Sequence, residues 1–120
     1  MDTKRTQRVA DQVLHEVAQI LQREVKDPRV GFVTLTGAKV SPDLHYAWLY
    51  YTVLGEEGAR AATQKGLESA TAFIRREIGR RLRLKNTPEL RFEFDESVER
   101  GLRIEELFQG IRHEPQDTDR

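Results

Sequence analysis

The chain has no cysteine, one tryptophan, one methionine and four prolines in 120 residues. Without cysteine there are no disulfides, no thiolate metal ligands and no cysteine nucleophile, and a reducing, cytoplasmic setting is expected. No apolar run reaches the roughly 18 residues that a membrane-spanning helix needs. Met1 to Gln7 are polar and charged and no apolar stretch follows them, so no secretory signal is expected. Phosphate-binding loops and dinucleotide fingerprints are missing. His15, His45 and His113 lie far apart, and Asp43 near His45 has no nucleophile or second ligand beside it. The expectation is therefore no enzyme, no catalytic residue, no metal and no cofactor. An excess of charge is lacking too: 20 basic residues balance 20 acidic ones, which argues against indiscriminate binding to polyanions.

That balance hides a segregation. Arg75, Arg76, Arg80, Arg81, Arg83 and Lys85 are opposed within their own segment by Glu77 alone. Residues 89–106 reverse the sign, with Glu89, Glu93, Asp95, Glu96, Glu99, Glu105 and Glu106 against Arg91, Arg100 and Arg103. If folding keeps these segments apart, one face of the molecule is basic. Fifteen of the basic residues are arginine, whose planar fork binds phosphate through two bonds and stacks on bases.

Val9, Val13, Val17, Ile20, Leu21 and Val25 recur at spacings of three and four, which predicts an amphipathic helix over 4–26. Lys26-Asp27-Pro28 ends it, because the residue before proline is pushed out of the helical region. Residues 31–40 and 44–54 are rich in β-branched and aromatic types and read as two strands joined at Ser41-Pro42-Asp43, an antiparallel hairpin. The second strand is apolar on both faces, so it is expected inside the sheet with a helix over one side. A second helical stretch follows over 59–84, with Leu67, Ala70, Ile74, Ile78 and Leu82 as its stripe; the small residues Ala70, Thr71 and Ala72 at its middle permit close packing or a kink, and the helix is expected to be broken, with Thr87-Pro88 ending it. Residues 90–94 alternate as a third strand. Val98, Leu102, Ile104, Leu107 and Phe108 suggest a short terminal helix or turn. The layout is a single α+β domain over 1–111, with helices on one face of a three-stranded sheet and a disordered tail over 112–120.

These motifs, in this order, resemble the ribosome-binding factor A family over residues 5–108. The resemblance is carried by Arg8-Val9, by Leu21-Gln22-Arg23-Glu24-Val25-Lys26-Asp27-Pro28-Arg29, and by Val40-Ser41-Pro42-Asp43-Leu44 with Ala47. It continues through Phe73-Ile74-Arg75, Leu82-Arg83-Leu84, Pro88-Glu89-Leu90 with Phe92 and Asp95, and Gly101-Leu102-Arg103-Ile104. It implies a KH-like fold of type II topology, α-β-β-α-kink-α-β. It also implies binding to free 30S small ribosomal subunits near the 5′ end of 16S rRNA, with a role in their late maturation and in processing of that rRNA. Cold adaptation is a common association of the family. The family's inter-helix element usually reads Ala-x-Gly; here it is Ala70-Thr71-Ala72, which lacks the glycine that eases left-handed backbone and close approach to phosphate.

The candidate rRNA-binding residues are Arg75, Arg76, Arg80, Arg83 and Lys85, with a smaller basic cluster at Lys4, Arg5 and Arg8. At 100° per residue Ile74, Ile78 and Leu82 share the core face, and Arg75, Arg76, Arg80 and Arg83 take the opposite arc around Gly79. A small residue between arginines would let a sugar-phosphate backbone approach. Arg75 is also a candidate for a structural pair with Glu89, and Arg81 falls near the apolar stripe, where it would snorkel. The competing account is a solvated face, or pairing with the acidic 89–106 segment. That segment gives a second reading of function, a module docking on a ribosomal protein or GTPase. Gly55-Glu56-Glu57-Gly58 has the GxxG pattern of KH domains but lies between strand and helix and carries two negative charges, so it reads as a turn. Tyr46, Trp48 and Tyr50 share one strand face and Tyr51 the other; one set must cover the helices and the other is free to be exposed and to stack on bases, with core packing the favoured reading. The protein is expected to be monomeric, with no small-molecule substrate and no membrane partner.

Overall fold

The computed structural model describes residues 3–31, 33–54 and 57–97. Helix α1 (Thr3–Arg23) leads through a 3-10 turn (Pro28–Val30) to strands β1 (Val33–Val40) and β2 (Tyr46–Val53), helix α2 (Glu57–Leu82) and strand β3 (Glu89–Phe94). The sheet order is β1-β2-β3, with β1 antiparallel to β2 and β3 parallel to it. This is the expected KH-like α+β layout, with β2 in the centre. The terminal helix or turn expected over 97–108 falls, apart from Ser97, outside the described residues, as does the tail.

The apolar stripe of α1 is buried as its spacing demands: Val13, Val17 and Ile20 are sealed completely, and Val9 and Leu21 nearly so. The helix stops short of Lys26. The amides of Glu24 and Val25 both return to the Ile20 carbonyl, and Asp27 turns the chain instead. The Asp27 carboxylate accepts from the Arg29 amide at 2.9 Å and from the Arg29 guanidinium at 2.6 Å. Those bonds hold the carboxyl below its ordinary pKa, the side-chain bond first. Thr63 on α2 donates to the Arg29 carbonyl at 2.9 Å. Beside it, a Cβ on Gly66 would lie 3.0 Å from the Arg29 Cβ and the Val30 Cγ1, so any larger residue there would push α2 off this turn by a few tenths of an ångström.

Between β1 and β2 the turn is closed by side chains. Ser41 donates to Asp43 at 2.7 Å, Asp43 accepts from the His45 amide at 3.0 Å, and Leu44 takes a φ of 61°. The turn fixes the register, and the register fixes the faces. Ala47, Leu49 and Tyr51 of β2, with Leu90 and Phe92 of β3, are buried toward the helices, against Leu67, Ile74 and Ile78 of α2. Sealing a side chain such as Leu49 contributes about 1.5–3 kcal/mol. Tyr51 keeps its hydroxyl satisfied by Gln64. Tyr46, Trp48 and Tyr50 point the other way, onto the open face of the sheet. As one of the two sets must, Tyr51 packs against the helices; of the other set Tyr46 is exposed, while Trp48 and Tyr50 are half-buried on the face away from both helices.

The expected break in the second helix is absent. α2 runs unbroken through Ala70, Thr71 and Ala72. None of the three is a helix breaker, and the Thr71 hydroxyl donates to the Leu67 carbonyl one turn back at 2.8 Å. Glu57 and Gly58 of the GxxG look-alike open this helix; Gly55 and Glu56 are outside the described residues.

Candidate nucleic-acid interface

The basic run begins inside α2 and ends beyond it, and the fold sorts its members. Ile74 and Ile78 face the core, as expected. Arg75 does not pair with Glu89, which pairs with Arg91 at 3.1 Å. Instead Arg75 donates to the Pro88 carbonyl at 3.0 Å and to the Thr87 carbonyl at 2.8 Å. It clamps the connection between α2 and β3 onto the helix. These bonds satisfy backbone acceptors that the turn leaves without a helical or strand partner.

The space over Gly79 is closed as well. A Cβ there would sit 2.5 Å from the Thr87 hydroxyl. The glycine serves the fold, by letting the returning chain lie on the helix, and offers no gap for a nucleic-acid backbone. Arg83 is no longer on the helix face. It follows the last residue of α2 in the left-handed region, φ 52°, and its amide returns to the Gly79 carbonyl at 3.2 Å. An arginine holds a position where glycine is the usual cap.

Two more arginines are engaged internally. Arg80 donates to Glu77 at 2.5 Å, and this bond, with Arg81 behind it, holds the Glu77 carboxyl below the usual carboxylate range. Arg81 reaches Glu16 of α1, Glu24 just past its end, and Glu77, and so joins the two helices. Its guanidinium is raised further above its ordinary value, first by the hydrogen bond to Glu24. Snorkelling describes its stem; its charge is held by three carboxylates.

What remains is a compact group. Ala72, Arg75, Arg76, Lys85, Asn86 and Thr87 line a shallow hollow between α2 and the connection to β3. Arg76 lies 5.7 Å from the Phe73 ring. Arg76, Arg83 and Lys85 are exposed and make no ion pair among the described residues. The hollow therefore joins the small-residue middle of α2 to the end of the basic run, which sequence spacing alone had set on one continuous helical arc. Asn86 adds an amide donor that charge patterning could not single out. Lys4, Arg5 and Arg8 are exposed on the first turns of α1, a separate element.

The acidic segment is largely occupied by its own contacts. Glu89 meets Arg91, Glu96 meets Arg60 at 3.5 Å, and Asp95 accepts from Thr36 at 2.6 Å and from the Ser97 amide at 2.9 Å. Residues 98–106 lie outside the described part. Among the described residues no three His, Cys, Asp or Glu side chains gather as a metal site, and no helix is long and apolar enough to cross a membrane.

The family model described as Ribosome-binding factor A matches residues 5–108. Ribosome-binding factor A of Geobacter sulfurreducens is 47% identical over 96% of this chain and 98% of its own length. That of an Anaeromyxobacter strain is 51% identical over 93% and 82%. Among solved structures, a ribosome binding factor A homologue from Thermotoga maritima superposes with a TM-score of 0.67 at 31% identity, covering 77% of this chain and 88% of its own. A homology model of the Thermus thermophilus ribosome binding factor A, fitted into the cryo-EM map of a 30S complex of that factor, gives a TM-score of 0.50 at 26% identity, over 70% and 96%.

Proposed function

The chain belongs to the ribosome-binding factor A family, and on that premise we propose that it binds the free small ribosomal subunit through the hollow beside α2. The hollow meets 16S rRNA near its 5′ end. Binding there supports late maturation of the subunit and processing of that rRNA, and the protein leaves when the subunit is mature. The role is non-enzymatic. The protein acts as a monomer, without a cofactor, in the cytoplasm. The observation that carries this reading is the sorting of the arginines. Arg75, Arg80 and Arg81 are engaged by the fold, whereas Arg76 and Lys85 line one concavity and Arg83 follows the end of α2 close by in the chain, and none of these three makes an ion pair among the described residues. Unpaired cations at a concave surface suit phosphates, and their binding releases counterions. The 30S complex of the Thermus relative is in keeping with the same partner. Lys4, Arg5 and Arg8 supply a second, weaker contact from α1.

Co-sedimentation with immature small subunits tests the reading. Reversing Arg76, Arg83 and Lys85 to Glu abolishes it and leaves the far-ultraviolet circular dichroism unchanged. Single neutral variants, which weaken binding without abolishing it, each lower the salt slope by about one unit for the phosphate that is no longer neutralised. Arg80→Glu has the smaller effect, because Arg80 already answers Glu77. Full co-sedimentation of the triple variant would sink the assignment.

A further inference from the structure

On the side of the sheet away from the helices, Tyr46, Trp48 and Tyr50 form a row along β2. Tyr46 is 38% exposed and its ring centroid lies 6.1 Å from that of Trp48. The flanking strands give this row two different borders. On the β1 side Lys39 stands opposite Trp48 and Gly37 opposite Tyr50. On the β3 side Arg91 stands opposite Trp48 and Glu93 opposite Tyr50. Arg91 is neutralised by Glu89 and lies 4.9 Å over the Tyr46 ring. Lys39 and Glu93 make no ion pair among the described residues, and neither the Trp48 indole nor the Tyr50 hydroxyl makes a hydrogen bond there. A Cβ on Gly37 would meet nothing within 4 Å. Gly37 therefore leaves room beside Tyr50 on the β1 side, bounded beyond Tyr50 by the Thr36–Asp95 hydrogen bond that spans β2; Glu93 stands level with Tyr50, and Lys39 stands two positions further along β1, level with Trp48.

We infer that this face is a second RNA-binding surface, which takes an unpaired guanine of single-stranded RNA. Aromatic rings stack on any base and so hold single strands. The polarity across the row selects among bases. Strands lie about 4.8 Å apart and rise about 3.3 Å per residue, so Lys39 and Glu93, two strands and two residues apart, are separated by about 12 Å at their Cα atoms, a span that their side chains shorten to the reach from a nucleotide's phosphate to the far edge of its base. The phosphate lies toward Lys39, the base on Tyr50 and Trp48 over Gly37, and the Watson–Crick edge at Glu93. Guanine presents two donors there, N1–H and the exocyclic amine, which a carboxylate accepts together. Adenine, cytosine and uracil each present only one donor group on that edge, with an acceptor beside it, so a carboxylate that meets two adjacent donors on guanine meets a repelling lone pair on the others. The surface lies opposite the helices and does not depend on the hollow beside α2.

Trp48 is the only tryptophan in the chain, so its emission reports directly. The full-length protein is titrated with a single-stranded hexanucleotide carrying two central guanines among uridines, and with its adenine counterpart. The guanine strand quenches Trp48 saturably and binds about tenfold more tightly, as one bidentate contact of about 1.4 kcal/mol implies. Glu93→Gln abolishes the preference, and Gly37→Leu, which fills the room beside Tyr50, weakens both strands. Equal quenching by the two strands, or none, overturns the inference. So does quenching by an arginine-rich peptide in place of RNA, which would make the face a protein-docking site. Co-sedimentation of the α2 variants is a separate readout, so either assignment can fail alone.

Discussion

Replacing Gly79 by alanine sets two effects of known sign against each other. In an exposed helix the substitution is stabilising by about 1 kcal/mol, because glycine loses more backbone freedom on folding. Here the added Cβ would lie 2.5 Å from the Thr87 hydroxyl and 3.6 Å from the Thr87 Cβ and Cγ2. Thr87 has little room to retreat, because Arg75 holds its carbonyl and the next one at 2.8 and 3.0 Å. Overpacking of this kind costs about 1–3 kcal/mol. The net expectation is destabilisation by about 1 kcal/mol, or a melting temperature lower by roughly 4–8 °C. Thr87→Ala removes the offending hydroxyl. In that background the clash is gone, and Gly79→Ala becomes stabilising by about 1 kcal/mol. Urea denaturation of the four proteins of this cycle measures both numbers. Stabilisation by Gly79→Ala in the unmodified chain would refute the reasoning, and would reopen the surface above Gly79 to a phosphate backbone.

Other expectations concern single charges. Arg83→Gly removes an L side chain from a φ of 52° and stabilises the domain by about 1 kcal/mol in urea melts, while weakening co-sedimentation with small subunits. Arg81→Ala unclasps α1 from α2 and lowers the melting temperature, with a smaller decrease at high salt, whereas Arg80→Ala barely changes it; equal effects would contradict the assignment. Asp27, Asp43 and Glu77 all have lowered pKa values, caused first by hydrogen bonds from Arg29, Ser41 and Arg80. A carboxylate depressed in the folded state stabilises above its unfolded pKa and loses that contribution as pH falls through the folded one. The urea midpoint therefore declines as pH falls below about 4, and Glu77→Gln blunts the decline.

The elements were legible because each depends on near neighbours. Val9 to Leu21 declare a helix by spacing, Leu90, Phe92 and Phe94 a strand by alternation, and the doubly apolar composition of residues 44–54 its central place. The fate of the arginines was not legible, because each was decided by a residue remote in the chain. Arg81 answers to Glu24, 57 positions away, and Arg75 to carbonyls 12 and 13 positions away. Gly79 looked like an opening because Thr87, which closes it, belongs to a loop with no periodicity to read. Which of the aromatics would face the helices was not legible for a related reason. Composition marks a strand as apolar on both sides, but only the placement of both helices decides which side stays wet.

The parallel pairing of β3 with β2 has a consequence for the chain as it is made. β1 and β2 can close as a hairpin while still near the exit tunnel, but the far edge of β2 waits until the whole of α2 and the connection beyond it have been synthesised. During that interval Tyr46–Val53 presents a bare strand edge of high β propensity, an invitation to intermolecular pairing. The helix that later carries the basic hollow is thus also the delay that the nascent chain must survive. Slowing translation when β2 has left the exit tunnel and β3 has not is expected to increase aggregation of this protein more than slowing it once the whole domain has emerged.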